Sequence, residues 1–325
     1  MAKKVLVTLS FPPSFISGFE DCVKMLTDEG FEVNVDPRHR PLTTEELVPA
    51  LQGVYAHVAS AELLSDAVMA QAPDLKIISR MGVGYDTVDL PAATKRGIAL
   101  TITPAANADA VAEYTVSLML ALTRHVPEID TMAKQGVWKT IFGTSIYGKT
   151  LGIIGTGEIG RRVVRNLRGF GMRVLAYDPY PNAEFAKEYD VTYCPVETLV
   201  KESDYISIHC PLTDDTQHLL SDKEFGMMKP TARLINCARG EIIDEKALYK
   251  ALSEKRIAGA ALDVYETEPF EKDNPLFGLD NVVLSPHIAG MTYECRKFVI
   301  QMAFQNIIDL TEGKKPRGLI NPEAL

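Results

Sequence analysis

Thr150-Leu-Gly-Ile-Ile-Gly-Thr-Gly-Glu-Ile-Gly160 is the stretch of sequence from which the fold of this chain can be inferred. Residues 151–154 are apolar and predict a buried strand, and the glycines that follow have the spacing G-x-G-x-x-G. Apolar residues then recur at positions 159, 163, 164 and 167, a spacing that predicts a helix. A second apolar run over residues 172–177 ends at Asp178. This order of strand, glycine turn, helix, strand and acid is typical of a dinucleotide-binding unit.

Each glycine of this motif is required for a different structural reason. Gly155 permits the tight turn, Gly157 lets the backbone approach a pyrophosphate, and Gly160 allows the helix to pack closely on the strand. The helix N-terminus offers N–H groups and a partial positive charge to the phosphates. Asp178 lies where a carboxylate can accept hydrogen bonds from an adenosine ribose, and it would repel a ribose phosphate. The sequence therefore predicts NAD rather than NADP as the cofactor.

Length and composition exclude several classes of function. A chain of 325 residues is long enough for two domains. Its net charge is −9 and basic residues are not clustered, which argues against a nucleic-acid partner. The absence of any apolar stretch of roughly 18 residues argues against a membrane span. The cysteines are odd in number and lack C-x-x-C spacing, so we expect neither a disulfide framework nor a metal site, and a reducing cytoplasm is favoured.

Strand and helix patterns alternate over the N-terminal third of the chain, which predicts a parallel sheet covered by helices on both faces. The predicted strands are Val5–Leu9, Phe31–Val35, Val54–Ala59, Leu75–Ile78 and Ile98–Ile102. The predicted helices lie near Phe19–Glu29, Thr44–Leu51 and Ala61–Ala70.

A long helix is predicted after Pro104, and the alternation resumes beyond the glycine motif. The later predicted strands are Tyr205–His209, Arg233–Asn236, Ala258–Val264 and Val282–Leu284. The later predicted helices are Ser221–Met228, Glu245–Glu254 and a final helix near Thr292–Leu310. The fold class is therefore α/β, with two doubly wound parallel-sheet units and no flexible linker between them.

Three segments of the second unit present polar residues just beyond a predicted strand. They carry Arg239, then Asp263, Glu266 and Glu268, and finally His287. Because parallel strands end at the same edge of a sheet, these residues are expected to converge. An arginine can bind a carboxylate with two hydrogen bonds, and a histidine beside a carboxylate is a good acid/base. Taken singly, each residue has a plain structural alternative: a surface arginine, solvent-facing acids and a structural histidine.

These segments resemble the D-isomer-specific 2-hydroxyacid dehydrogenases, the family that includes 3-phosphoglycerate dehydrogenase and the hydroxypyruvate and glyoxylate reductases. The similarity spans most of the chain in the family's order. The segments that carry it are residues 79–89 (SRMGVGYDTVD), the glycine motif with Asp178, residues 209–213 (HCPLT), 236–240 (NCARG), 261–269 (ALDVYETEP) and 286–290 (PHIAG).

The resemblance implies a role for each site residue. Arg239 would bind the substrate carboxylate, His287 would act as the acid/base, and Glu268 would pair with that histidine. Backbone groups of Val83 and Gly84 would also meet the substrate carboxylate. The predicted cofactor-binding residues are Gly155, Gly157, Glu158, Ile159, Gly160, Asp178, Cys210, Thr216, Cys237, Ala238, Asp263 and Gly290.

The resemblance also implies a discontinuous first domain. Residues 1–103 and 293–325 would form a flavodoxin-like substrate domain, into which a Rossmann NAD-binding domain of residues 104–292 is inserted. A homodimer formed through the long helix and the adjoining loop is typical of the family.

The implied function is the interconversion of a D-2-hydroxy acid and its 2-keto acid with NAD, and the substrate stays open among 3-phosphoglycerate, hydroxypyruvate and glyoxylate. Phosphoglycerate enzymes usually carry a cation in the loop after the third strand, where this chain has Ala59. Formate dehydrogenases lack the acid that Glu268 supplies here. The alternatives are a dimeric NAD(H)-sensing protein like the corepressors built on this fold, and a catalytically idle paralogue.

Overall fold

The computed structural model describes residues 2–325, which form twelve strands and twelve α-helices. The strands are β1 (Lys4–Val7), β2 (Glu32–Val35), β3 (Val54–Ala59), β4 (Ile77–Arg80), β5 (Ala99–Thr101), β6 (Thr150–Ile154), β7 (Arg173–Tyr177), β8 (Val191–Tyr193), β9 (Tyr205–Ile208), β10 (Arg233–Asn236), β11 (Gly259–Leu262) and β12 (Val282–Leu284). The helices are α1 (Phe19–Thr27), α2 (Thr44–Ala50), α3 (Asp66–Met69), α4 (Leu90–Lys95), α5 (Ala108–Arg124), α6 (Val126–Lys134), α7 (Glu158–Leu167), α8 (Ala183–Tyr189), α9 (Val196–Glu202), α10 (Asp222–Met227), α11 (Glu245–Ser253) and α12 (Tyr293–Thr311).

The chain divides into two compact units, each built on one parallel sheet. Unit 1 contains residues up to 107 together with 291–325, and unit 2 contains residues 108–290. The unit 1 sheet has the strand order β2-β1-β3-β4-β5, which is the flavodoxin-like order. The unit 2 sheet has the order β12-β11-β10-β9-β6-β7-β8, which is the Rossmann order extended by one strand. The predicted fold class is confirmed.

Alternating strand residues supply a core on each face of each sheet. In unit 1, Val5 and Val7 belong to one buried cluster and Leu6 to the other. In unit 2, Ile153 and Ile154 divide in the same way. Because successive side chains of a strand point to opposite faces, this division means that helices cover both sides of each sheet. The near-continuous apolar runs in the sequence reflect this two-sided burial.

The helix predicted over Ala61–Ala70 was wrong in its first half. Residues 61–64 are not helical, and the Leu64 N–H and carbonyl form hydrogen bonds with Thr87 and Asp89 in a short parallel bridge. Helix α3 starts only after Ser65, whose hydroxyl accepts a hydrogen bond from Val68 N at 3.4 Å. Local apolar spacing favoured a helix there, and a contact distant in sequence prevented it.

The sequence patterns missed several short elements of unit 2. The unpredicted ones are strand β8 and helices α6, α8 and α9. Strand β8 has three residues, of which only Val191 is buried, so it leaves no apolar run in the sequence. None of the helices in residues 2–325 has the length and apolarity that a membrane crossing requires.

His57 is a fully buried histidine in the centre of the unit 1 sheet. Its Nε2 lies 3.1 Å from Oγ1 of Thr8, the residue that follows the neighbouring strand β1. The exposure of His57 is 0%. Burial, reinforced by the positive charge of Arg80, lowers the pKa of His57 to about 3. Below pH ~6.5, His57 is therefore protonated in the unfolded chain but stays neutral in the folded chain.

We predict that His57→Gln makes unit 1 less sensitive to acid. Because the folded pKa of His57 lies below the unfolded one, the histidine lowers stability as pH falls, by about 2 kcal/mol between pH 7.5 and 5. Hydrogen exchange of the β1 and β3 amides at the two pH values reports the opening free energy of unit 1. His39→Asn, a change at a partly exposed histidine of the same unit, serves as the control. An equal loss of protection in parent and His57→Gln would contradict the prediction.

Candidate active site

Three neighbouring strands of unit 2 lead into the three predicted site segments. Strand β10 is followed by Arg239, β11 by the turn that contains Glu268, and β12 by His287. The strands are adjacent and parallel in the order β10-β11-β12, so their carboxyl ends meet at one edge of the sheet. The convergence expected from the sequence is therefore present in the geometry.

His287 and Glu268 are in direct contact at this edge. His287 Nδ1 lies 2.6 Å from Glu268 Oε2, and the Tyr265 N–H donates to Glu268 Oε1 at 3.0 Å. Partial burial raises the pKa of Glu268, but the hydrogen bond and charge of His287, the Tyr265 N–H and the charge of Arg239 outweigh it. The pKa of Glu268 is therefore lowered, and the carboxylate is available to stabilise a protonated imidazole.

Gly240 brings the arginine turn against the glutamate turn. A Cβ on Gly240 would lie 1.9 Å from the carbonyl carbon of Tyr265 and 2.4 Å from the Glu266 nitrogen. No side chain fits in that space, so the backbone after Arg239 packs directly on the backbone before Glu268. This close approach is what brings the guanidinium within electrostatic range of Glu268.

The carboxylate of Asp263 organises the turn that carries His287. Its Oδ1 accepts from Ser285 Oγ at 2.6 Å and from Ile288 N at 2.9 Å, and its Oδ2 accepts from Ala289 N at 2.8 Å. Its backbone carbonyl accepts from His287 N at 2.8 Å. Burial raises the pKa of Asp263, although these donors and the charge of His287 oppose the shift. Asp263, which the sequence analysis predicts to bind the cofactor, therefore also fixes the turn that carries His287.

Asn236 is a further positioning residue to which the sequence reasoning gave no role. Its side chain accepts from Ala238 N at 3.0 Å and donates to the Arg239 carbonyl at 2.8 Å, and its exposure is 0%. These bonds close the turn that presents Arg239. An asparagine at a strand end can hydrogen-bond the backbone two residues on, and this turn signal could have identified the residue.

Glu266, the other candidate partner of His287, is engaged elsewhere. Its Oε1 lies 2.9 Å from His218 Nε2 and accepts from Glu245 N at 3.2 Å, at the start of α11. The Glu266 N–H in turn donates to Glu245 Oε2 at 3.2 Å. Of the two glutamates, only Glu268 contacts the histidine.

The glycine motif between β6 and α7 forms an open cradle. Gly155 has φ +94°, and a Cβ there would lie 2.6 Å from Cys210 N. A Cβ on Gly160 would lie 2.1 Å from the Gly155 carbonyl oxygen. A Cβ on Gly157 would meet nothing within 4 Å, so the space above it is free of protein atoms. Helix α7 begins at Glu158, directly after Gly157, and the free N–H groups at a helix N-terminus can bind a pyrophosphate.

Asp178 ties the end of β7 to this cradle. Its Oδ2 accepts from the Thr156 N–H at 2.7 Å and from Thr156 Oγ1 at 2.9 Å, and its Oδ1 accepts from Tyr180 N at 2.9 Å. A carboxylate can accept about four hydrogen bonds, so one or more sites remain for a ribose hydroxyl. The acid is thus fixed beside the glycine turn, where the sequence predicted it.

The remaining predicted cofactor residues border the same sheet edge of unit 2. Burial raises the pKa of Cys210 to about 11 and that of Cys237 to about 12, so both thiols stay protonated. Thr216 Oγ1 donates to the Pro211 carbonyl at 2.7 Å and closes the turn after β9. The backbone carbonyl of Ala238 accepts a hydrogen bond from Arg239 Nη1 at 2.7 Å. Ile159, within α7, packs on the core of unit 2, and Gly290 ends the unit.

Val83 and Gly84 lie in the turn after β4 at the carboxyl edge of the unit 1 sheet. The Gly84 carbonyl accepts from Arg80 Nε at 3.1 Å, and the Gly82 carbonyl accepts from Thr103 N at 2.9 Å. These bonds fix the turn through its carbonyl groups. Residues 2–325 contain no group of three or more His, Cys, Asp or Glu side chains arranged to hold a metal ion.

The sequence matches one protein family over the region that contains this edge. The profile of the family described as D-isomer specific 2-hydroxyacid dehydrogenase, NAD binding domain, matches residues 116–289. The glyoxylate reductase of Korarchaeum cryptofilum is 39% identical over 335 residues, which cover 100% of this chain and 98% of that protein.

Solved structures of similar proteins share the fold over 98% of this chain. The D-lactate dehydrogenase of Escherichia coli superimposes with a TM-score of 0.85 at 33% identity, over 98% of this chain and 99% of that chain. The D-lactate dehydrogenase of Aquifex aeolicus, solved with NAD and lactic acid, gives a TM-score of 0.86 at 28% identity, over the same shares.

Proposed function

Since the chain belongs to the D-isomer-specific 2-hydroxyacid dehydrogenase family, we propose that it reduces a small 2-keto acid to the D-2-hydroxy acid and catalyses the reverse oxidation. Residues 116–289 match the family's NAD-binding domain, and NAD is the cofactor. Glyoxylate and hydroxypyruvate are the favoured substrates, with phosphohydroxypyruvate, the keto form of 3-phosphoglycerate, as the third of the class. The observation that carries the proposal is the 2.6 Å contact of His287 Nδ1 with Glu268 Oε2 at the Arg239 edge.

Arg239 binds the substrate carboxylate in this proposal. Its planar guanidinium offers parallel N–H donors that match a carboxylate, and its turn is fixed by Asn236 and by the close packing at Gly240. For unit 1, we propose that backbone groups of Val83 and Gly84 bind the substrate.

His287 handles the proton. NADH, when bound, supplies a hydride to the keto carbon. Because Nδ1 of His287 faces Glu268, the other ring nitrogen, Nε2, is the one that donates a proton to the keto oxygen. Glu268 orients the imidazole through the Nδ1 contact, and its negative charge favours the protonated form that the transfer needs. In the oxidation direction, neutral His287 removes the hydroxyl proton.

The two units divide the work. We assign the cofactor to the inserted domain, residues 104–292, and the substrate-domain role to residues 1–103 and 293–325. The Rossmann strand order, the glycine cradle and the fixed Asp178 support the first assignment. The flavodoxin-like order and the turn at Val83 and Gly84 support the second.

A homodimer and a cytoplasmic location belong to the proposal. The segment from α6 to β6 exposes large apolar side chains, which mark interaction surfaces when they cluster. They are Val126, Ile129, Val137, Trp138, Phe142 and Tyr147. All five cysteines are free thiols, as expected in a reducing compartment.

Steady-state oxidation of NADH with glyoxylate, hydroxypyruvate, phosphohydroxypyruvate and pyruvate tests the function. We expect turnover with at least one acid, and Arg239→Lys should lower kcat/KM by roughly 10- to 100-fold because a lysine cannot form the paired contact. Arg233→Lys is the matched control, because Arg233 lies at the amino-terminal end of β10, away from the carboxyl end that leads to Arg239. Tight NADH binding without turnover of any acid would favour the NAD(H)-sensing alternative. Retained activity in Arg239→Lys would mean that another group holds the carboxylate.

Glu268→Gln should shift the pH profile of the reduction. Removing the carboxylate destabilises the imidazolium that reduction requires, so the alkaline limb of kcat/KM should move to lower pH by roughly one unit. Glu266→Gln is the control: it removes the same charge two residues away, where the partner is His218. The pairing is refuted if the limb moves in the Glu266 variant and stays in place in the Glu268 variant.

The cofactor preference should depend on Asp178. We expect the parent to bind NADH more tightly than NADPH, and Asp178→Asn to reduce that preference roughly tenfold, because the repulsion of the ribose phosphate disappears. Fluorescence titration with both cofactors measures it. Asp190→Asn, at the end of α8, removes a charge at the opposite edge of the sheet and should leave the ratio unchanged. Tighter NADPH binding by the parent would be the contrary result.

A further inference from the structure

A chain of hydrogen bonds in unit 2 joins the glycine turn after β6 to the residues that follow β7 and to the end of β8. Thr156, inside the glycine motif, lies at its centre and is only 3% exposed. The Thr156 Oγ1 lies 2.9 Å from Asp178 Oδ2 and 2.9 Å from Tyr193 Oη. Tyr193 is the last residue of β8, and its hydroxyl oxygen also accepts from Asn182 N at 3.2 Å.

The chemistry of the two end members fixes the direction of this chain. An ionised carboxylate can only accept, so the Thr156 hydroxyl donates its single proton to Asp178. Thr156 Oγ1 can then only accept from Tyr193. Asn182 contributes an N–H, which donates to the phenol oxygen and leaves the phenol proton for Thr156. The hydrogen bonds therefore run in one direction, from the Asn182 backbone through Tyr193 and Thr156 to the carboxylate, and each polarises the next.

The backbone of Thr156 is held from two further sides. Its N–H donates to Asp178 Oδ2 at 2.7 Å, and its carbonyl accepts from Arg161 Nε at 2.8 Å. Because the backbone is fixed, the hydroxyl can leave Asp178 only by a rotation about the Cα–Cβ bond. That rotation would also break the hydrogen bond from Tyr193, so the phenol holds the Thr156 hydroxyl on the carboxylate.

The two oxygens of Asp178 are engaged unequally. A carboxylate oxygen can accept about two hydrogen bonds. Both donors of Thr156 reach Oδ2, whereas Oδ1 accepts from Tyr180 N at 2.9 Å. These bonds leave one acceptor site on Oδ1, and its direction is set by the orientation that Thr156 gives to the carboxylate. A carboxylate held in this way can accept from one hydroxyl, and it cannot turn its charge away from a nearby phosphate.

We propose that Tyr193 and Thr156 are positioning residues for cofactor discrimination, because together they hold Asp178 with its remaining acceptor site toward the adenosine ribose. The same orientation keeps the negative charge where the ribose phosphate of NADPH would lie. The inference rests on the proposed function, because it assumes that Asp178 meets the adenosine ribose. Tyr193 and the Thr156 hydroxyl act through Asp178 and do not touch the cofactor.

Fluorescence titration of NADH and NADPH, which needs no turnover, tests this role. Tyr193→Phe removes the phenol proton, and Thr156→Val removes the hydroxyl. Each should lower the ratio of the NADPH Kd to the NADH Kd by roughly threefold, because a carboxylate that can turn binds the ribose less well and repels the phosphate less. Thr156→Ser keeps the hydroxyl and should keep the parent's ratio. Tyr189→Phe, at the end of α8 in the same unit, is the control for loss of a phenol and should also keep it.

The double variant Tyr193→Phe/Thr156→Val distinguishes one chain from two separate effects. Since both substitutions break the same chain, the ratio in the double variant should equal that in Thr156→Val alone, whereas separate effects would multiply. Tyr193→Phe keeps the aromatic ring, so it tests the inference even if Thr156→Val does not fold.

Three results would overturn this inference alone, provided that Asp178→Asn lowers the ratio. They are an unchanged ratio in Tyr193→Phe, an equal loss of affinity for both cofactors, and effects that multiply in the double variant. A ratio that Asp178→Asn also leaves unchanged would overturn the proposed role of Asp178 as well.

Discussion

The buried carboxylate of Asp263 is the interaction on which the geometry of the unit 2 edge depends. It accepts hydrogen bonds from Ser285 Oγ, Ile288 N and Ala289 N, so the turn after β12 is bound to the end of β11. Within that turn His287 has φ +53°, a conformation that disfavours a side chain and persists only where surrounding contacts impose it. These three donors, at 2.6–2.9 Å, offset much of the free-energy cost of burying the Asp263 carboxylate. The contact of His287 with Glu268 follows from this fixed backbone.

Several glycines of unit 2 lie where the backbone packs too closely for any side chain. Gly240 and Gly160 allow two backbone segments to touch at distances that exclude any Cβ, while Gly155 combines such an approach with a positive φ. The first contact joins the arginine turn to the glutamate turn, and the other two shape the cofactor cradle. Gly157 differs from these, because no protein atom occupies the space that its Cβ would fill. This open space is compatible with the close approach of a pyrophosphate that the G-x-G-x-x-G spacing predicts at this position.

The sequence predicted the fold class because two-sided burial leaves apolar runs that are long enough to recognise, and strand β6 with its glycine turn is the clearest case. It also predicted that Arg239, Glu268 and His287 share one edge, because parallel strands end together. It could not distinguish Glu268 from Glu266 by physics alone: the two are close in the chain, and the difference lies in where His218 and the start of α11 hold Glu266. Short elements such as β8 and the bridge at Leu64 depend on distant partners and leave no local pattern.

The two units use the same architectural rule with different chemistry. In unit 2 the turns beyond the strands gather a guanidinium, a carboxylate and an imidazole, and hydrogen bonds from Asn236 and to Asp263 fix them. In unit 1 the corresponding edge gathers hydroxyl groups and a buried acid, and Arg80 is held to the Gly84 carbonyl. Strand order alone would not separate a reaction centre from a recognition surface, because both sheets are open and parallel. The separation comes from which side chains follow the strands: unit 2 has groups that can exchange a proton, whereas in unit 1 the buried histidine, His57, stays neutral.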